Sequence, residues 1–276
     1  MNYRNTLRFP GFKLRAVTLS YDDGSHHDKR LIEIMRKYGL KGTFNINSGL
    51  FDPNERWRMS LEESKKLYLS NGMEVAVHGY NHIYLNEVDS ARATFEILKD
   101  REELEKHFGG IIKGMAYAYG EYNDNVVQIL KDCGIKYSRT VISTEDFVIP
   151  EDFLRMPTTC HHNNPKLFEL VDNFLAPEGD RHWQNSPRFF YLWGHSYEFD
   201  RNNNWNVIEE FAKKVGNRDD VWYATNIEIY DYVNAYDRLE YSIDGKTVYN
   251  PSSIDVYLNY YGDNVIPAGK TVTFNE

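Results

Sequence analysis

Short apolar runs alternate with amphipathic stretches along this chain, from about residue 15 to about residue 239. The run "AVTLSY" (16–21) is rich in β-branched and aromatic residues and predicts a buried strand. "DKRLIEIMRKYG" follows, with Leu31, Ile34, Met35 and Tyr38 on one helical face and Gly39 at its end. The unit then recurs. Strand "GTFNIN" precedes helix "SLEESKKLYLSNG", which opens with Ser60 and Glu63 at capping-box spacing. Strand "MEVAVH" precedes the long helix "DSARATFEILKDREELEKHFGG", and "IKGMAYAYG" precedes "NDNVVQILKDCG". Strand "IKYSRTV", an irregular stretch over 143–164 and helix "PKLFELVDNFLA" come next. Strand "RFFYLWGHS", helix "NWNVIEEFAKKVGN", strand "DVWYAT" and helix "NIEIYDYVNAYDRL" complete the series.

About seven β-α alternations imply parallel strands joined by helical crossovers, and at this length a closed or nearly closed β/α barrel. Past about Leu239 the helical pattern stops. Turn signals at Asp244-Gly245, Asn250-Pro251, Gly262-Asp263 and Ala268-Gly269 predict several short antiparallel strands there. The expectation is an α/β chain: a barrel domain over 1–238 and a small all-β extension over 239–276. That extension is too short to fold alone and is expected to pack on the barrel.

Composition narrows the partners. Lys and Arg total 32 against 41 Asp and Glu, a net charge of −9, which argues against nucleic acid or an anionic membrane. No segment approaches the roughly 20 apolar residues that span a bilayer. The beginning of the chain has no apolar stretch of signal-peptide type, so a cytoplasmic location is expected, or a secreted one if a signal has been removed. Cys133 and Cys160 make no disulfide framework. The 21 Tyr and 5 Trp supply flat faces on which sugar rings stack, although any single Tyr is by default a half-buried surface filler.

In a β/α barrel the C-terminal ends of the strands converge on one face. Those ends carry Asp22-Asp23-Gly24, His78 with His82 four residues on, Tyr119-Gly120, Arg139 and His195. Asp-Asp-Gly alone is most often a helix-capping turn. His78 and His82 at a spacing of four, if on a helical turn, bring both imidazoles to one side. With one carboxylate they form a ligand set for Zn²⁺ or a similar divalent ion, leaving positions open for water and substrate. Cobalt, nickel, manganese and iron suit the same donors. The segment "TCHHNN" (159–164) has one Cys and two adjacent His, a poor chelate, and reads as a loop near the site. His26 and His27 read as solvated loop residues at the mouth.

"SYDDG", followed some 55 residues later by "HGYNH", resembles the first two motifs of the polysaccharide deacetylase family, the NodB-homology, carbohydrate esterase 4 group. "YAYGEYND" is similar to its third motif and "LWGHS" to the late one that supplies a histidine, in the family's order over roughly 15–235. The resemblance implies a deformed barrel that binds a divalent cation and removes N- or O-acetyl groups. By motif position it implies Asp23, His78 and His82 as ligands, Asp22 as general base and His195 as general acid. The backbone N–H near Tyr119 would then help hold the oxyanion. Such roles are chemically coherent: a carboxylate committed to a cation is a poor base, so two roles require two groups.

The chain departs from the family in two places. Where the third motif begins with arginine and two prolines, Ala116, Tyr117 and Ala118 stand, and Arg139 is the candidate replacement for that arginine. The fourth motif is not evident; Trp193 or Trp205 is the candidate apolar wall beside His195, and Glu198 the candidate partner of a histidine. The expected substrate is an acetylated sugar or oligosaccharide. Two other readings compete: cleavage of a different C–N bond in a small cytoplasmic metabolite, and a carbohydrate-binding protein with a vestigial site. The presence of both Asp and all three His weighs against the second. Nothing in the sequence bears on oligomeric state.

Overall fold

A computed structural model of the chain describes residues 4–51, 57–177 and 186–274. A short N-terminal strand, β1 (Leu7–Arg8), precedes the central strand β2 (Arg15–Asp22). The parallel sheet continues through β3 (Gly42–Ile46), β4 (Glu74–Val77), β5 (Gly114–Ala116), β6 (Tyr137–Ser143), β7 (Met156–Thr158), β8 (Cys160–His161), β9 (Arg188–Gly194) and β10 (Val221–Tyr223). Around it run α1 (Asp28–Lys37), α2 (Leu61–Leu69), α3 (Ser90–Phe108), α4 (Asp124–Asp132), α5 (Leu167–Leu175), α6 (Tyr197–Arg201), α7 (Trp205–Val215) and α8 (Asn226–Asp237). None of these helices is long and apolar enough to cross a membrane. The capping box at Ser60 and Glu63 forms as expected, and a second one forms at Thr225 and Glu228.

The strand order is β7-β6-β5-β4-β3-β2-β9-β8, with β10 beside the first half of β2. Its two ends, β7 and β8, are separated in the chain only by Thr159, whose N–H donates to Tyr191 O at 2.9 Å. The sheet therefore curls into a deformed barrel without a continuous ladder of pairs around it. This is the α/β architecture expected from the alternation, and β7 with β8 supplies the stave that the irregular 143–164 stretch concealed.

Alternation along β2 shows how the barrel is built. Val17, Leu19 and Tyr21 join the apolar cluster under the helices. The intervening Ala16, Thr18, Ser20 and Asp22 are equally buried and grow more polar toward the strand's C-terminal end. A second cluster gathers Ala16, Tyr137 and Phe189 from strand starts, Ile229 and Val233 from α8, and Val256, Leu258 and Ile266 from the C-terminal segment. That segment contains β11 (Glu240–Tyr241), β12 (Thr247–Tyr249), β13 (Val256–Asn259), β14 (Asp263–Ile266) and β15 (Thr271–Thr273). They form two antiparallel sheets, β1-β13-β14 and β11-β12-β15, so the N-terminal strand β1 belongs to one of them. This β layer packs at the N-terminal end of the barrel strands. The C-terminal end, where Asp22 lies, stays open.

Candidate functional site

Neighbouring residues of a strand point to opposite faces, so Asp22 and Asp23 should diverge. They do not, because Asp23 leaves β2 with φ at 76° and turns its carboxylate back over the mouth. His195 Nε2 consequently lies 3.9 Å from an oxygen of each aspartate. Positive φ recurs at His82 (52°) and Tyr119 (58°), two further residues of the same mouth. Non-glycine residues in that region carry strain that their surroundings must hold.

One group has the spacing of a cation site. The ligand atoms of Asp23, His78 and His82 all lie within 4.8 Å of one another. His78 Nε2 is 3.9 Å and His82 Nε2 3.8 Å from Asp23 Oδ1. Tetrahedral bonds of about 2.0–2.1 Å place ligand atoms roughly 3.3 Å apart, so closing on an ion requires only a small contraction. The His78 Nδ1–H donates to Ala116 O at 2.9 Å, which orients the ring and turns Nε2 toward Asp23. Burial and the neighbouring His78 push the His82 imidazole down to about 4. The donor set, one carboxylate and two imidazoles, fits a divalent cation. The helical turn expected between the two histidines is absent. Gly79 and His82 both adopt positive φ, the His82 N–H reaches back to Gly79 O, and this turn brings the rings to centroids 4.8 Å apart.

Asp22 sits deeper and is differently held. Its Oδ1 accepts from Asn45 Nδ2 at 2.8 Å, and its Oδ2 pairs with Arg139 Nη2. Burial pushes its carboxyl up, but Arg139, His78, His195 and the Asn45 hydrogen bond together hold it below the usual value. The Arg139 guanidinium lies over the Trp193 ring at 4.4 Å, and Trp193 in turn stands 6.0 Å from His195.

His195 and Glu198 belong to a second cluster. Glu198 Oε1 faces His195 Nδ1 at 3.5 Å, while its Oε2 lies 3.1 Å from His161 Nε2 and 3.0 Å from His162 Nε2. Burial alone would raise this carboxyl; hydrogen bonds from the three imidazoles hold it well below the usual carboxylate range. His161, His195 and Glu198 also have ligand-type spacing. However, Arg201 Nη2 donates to Glu198 Oε1 at 3.2 Å and Asn163 Nδ2 to Oε2 at 3.3 Å, so both carboxylate oxygens already hold donors. The "TCHHNN" histidines are thus joined to the site through Glu198. Trp205 stands further out: it packs on Phe199 at 5.1 Å and under Arg30, and Phe199 covers His162.

Tyr119 is half exposed and stacks on Tyr84 with centroids 4.0 Å apart, forming a flat surface against His82. Trp57 and Tyr197 pair at 5.3 Å, with Tyr197 beside His195. Sequence reasoning missed Asn45, Asn47, Glu96, Asp100 and Asp28, all buried and polar. A usable signal existed for some. "FNIN" places amides at alternating positions of a buried strand, and Glu96 and Asp100 occupy the apolar stripe of α3.

Comparison with known proteins agrees with this architecture. Residues 11–138 match the family model for polysaccharide deacetylase. The uncharacterized protein YlxY of Bacillus subtilis is 24% identical over 140 residues, covering 50% of this chain and 40% of that protein's length. A deacetylase-family protein from Mycobacterium smegmatis superposes with a TM-score of 0.61 at 19% identity, over 84% of this chain and 94% of that one. The family 4 carbohydrate esterase of Streptomyces lividans, solved with acetate, gives 0.51 at 17% identity, over 77% and 93%. A carbohydrate esterase family 4 pseudoenzyme from Bacillus anthracis gives 0.51 at 16%, over 78% and 65%. At these identities the likeness establishes the fold alone. Residues 11–138, from β2 to the start of β6, thus resemble the polysaccharide deacetylase family, and the fold around them is the one these solved structures share.

Proposed function

We propose that this domain is a metal-dependent hydrolase that removes acetyl groups, N-acetyl above all, from a carbohydrate. The observation that carries the reading is the division of labour between the adjacent aspartates. Asp23 shares a ligand-sized cluster with both His78 and His82, while Asp22, 3.8 Å from His78 Nε2, is not of that cluster and is tied to Arg139. Asp23, His78 and His82 would hold the cation, zinc first among the candidates. When bound, it polarises the acyl oxygen and acidifies the attacking water.

The chain's own groups do the rest. Each Asp22 oxygen retains a second lone pair beyond its hydrogen bond, so the carboxylate can accept the water's proton. Arg139 and Asn45 fix its direction. The backbone N–H at Tyr119 donates toward the developing oxyanion. His195 Nε2 faces the same space, with Glu198 opposite its Nδ1, and gives its proton to the leaving nitrogen. Burial lowers the affinity of His195 for that proton, but Glu198, Asp22 and Asp23 raise it above the ordinary histidine value. The Tyr84–Tyr119 face suits stacking by a pyranose ring.

The test combines elemental analysis of the purified protein with an acetate-release screen. Chitin oligomers, N-acetylglucosamine derivatives, peptidoglycan fragments and acetylated xylan are the substrates to screen. Asp22→Asn should retain the metal and lose hydrolysis. If no cation is present or restorable and acetate release stays at background, the reading fails.

A further inference from the structure

The loop bearing both histidine ligands is held almost entirely from outside itself. Asn47 Nδ2 donates to His78 O at 2.7 Å and Gly79 O at 2.8 Å. Gly49 N–H donates to Tyr80 O, and a Cβ on Gly49 would lie 2.5 Å from that oxygen. The His78 N–H also reaches Ile46 O at 3.2 Å and its Nδ1–H reaches Ala116 O; further contacts come from one helix. Asp100 Oδ2 accepts the His78 N–H at 3.0 Å, and its Oδ1 accepts both the N–H and the hydroxyl of Ser48, at 2.7 and 2.6 Å. One turn earlier, Glu96 Oε2 accepts the Asn81 N–H at 2.7 Å and Oε1 the Asn81 side-chain amide at 2.8 Å. The Glu96 backbone carbonyl takes the Tyr80 N–H at 3.1 Å.

Glu96 and Asp100 are four residues apart and fully buried, in the stripe that also carries Ala93, Ile97 and Leu104. Burying carboxylates is costly, and an apolar residue at either position would continue the stripe, so packing gives no reason for acid. What the acids do have is donors: His78 and Asn81 in the turn itself, Ser48 beside it and Arg92 on the same helix, and the turn's last residue, His82, is held at a positive φ. We propose that Glu96 and Asp100 form a two-carboxylate clamp that presets the His78–His82 turn, making them positioning residues for cation binding. The inference rests on the proposed metal site.

Zn²⁺ alone, titrated into the metal-free full chain against a chromophoric chelator, tests this. Asp100→Asn is nearly isosteric but turns an amide N–H toward either Ser48 or His78, so one arm is lost. Glu96→Leu removes both arms at Asn81. Each should weaken Zn²⁺ binding roughly 10- to 100-fold at unchanged stoichiometry. Glu96→Gln keeps an oxygen for the Asn81 N–H, and Asn81 can turn its own amide to accept, so affinity should return to within a few-fold of wild type. Leu104→Ala, on the same helix face, should lower Tm without moving the Kd. Should Glu96→Leu not fold, Asn81→Ala removes one arm from the loop side. A wild type that binds Zn²⁺, with clamp variants that bind no worse than Leu104→Ala, overturns the clamp alone. A wild type that binds none overturns the metal reading and the clamp with it.

Discussion

Replacing Arg139 by Leu isolates the support of the proposed base. Arg139 and Asp22 are buried to within a few per cent, at side-chain exposures of 0% and 3%. Removing one partner of such a pair leaves a charge without compensation, at a cost of about 3–5 kcal/mol. Each kcal/mol moves Tm by about 2–4 °C in a chain approaching this size, so the midpoint should fall by roughly 6–20 °C. Asp22→Asn strands the guanidinium instead and should also destabilise. The double variant should cost less than the sum of the two, with a coupling of about 2–3 kcal/mol. Activity should fall on the order of 100-fold in kcat, since Asn45 alone cannot hold the carboxylate in line. Metal content should not fall, because Arg139 is no ligand and a cation removed from the neighbourhood cannot weaken the binding of another. Urea unfolding, acetate release and elemental analysis of the same four proteins read all three quantities. Additive stabilities together with unaltered turnover would refute the pairing as a functional device.

Stripping the protein with a chelator should abolish acetate release and Zn²⁺ should restore it; activity that survives exhaustive stripping contradicts the assignment of Asp23, His78 and His82. Asp28 supplies a pH test: it is fully buried and accepts hydroxyls from Tyr68 at 2.6 Å and Ser196 at 2.5 Å. Burial raises its carboxyl from 3.8 to about 7, so between those values the folded state holds a proton that the unfolded state has released. Stability is therefore greatest below about 4 and declines as pH rises toward 7, by up to about 4 kcal/mol. Asp28→Asn should abolish that part of the decline; identical pH–stability curves for the two proteins would falsify it. Deleting residues 240–276 should leave no cooperative thermal transition, because Val256, Leu258 and Ile266 each bury a side chain worth about 1.5–3 kcal/mol. A melt within a few degrees of the full chain contradicts an integral role. Tyr84→Ala should raise KM for an oligosaccharide up to about tenfold while sparing a small acetyl ester, as loss of one stacking partner predicts; equal effects on both substrates would exclude a sugar-stacking role.

How far the site could be read in advance depended on which physical quantity each residue encodes. Strand alternation is encoded locally, so the β-α rhythm and the strand ends could be seen; within β2 even the inward column Thr18, Ser20, Asp22 stands out against Val17, Leu19, Tyr21. The short staves β7 and β8 were invisible because three residues and two residues carry no period. Backbone handedness is encoded only where glycine permits it. Asp23, His82 and Tyr119 adopt left-handed φ under tertiary constraint, which is why two adjacent aspartates share one mouth and why the two histidines meet without a helix. The constraint itself lies elsewhere in the chain, in Asn45 O accepting the Asp23 N–H and in the acids of α3. Those supports look like errors in a pattern: amides in a buried strand, and carboxylates in an apolar helical stripe. Such breaks mark where the fold is holding something in place. Asn45, Asn47, Glu96 and Asp100 each point at Asp22 or the His78–His82 turn, so these breaks and the residues that assemble the site form one connected set.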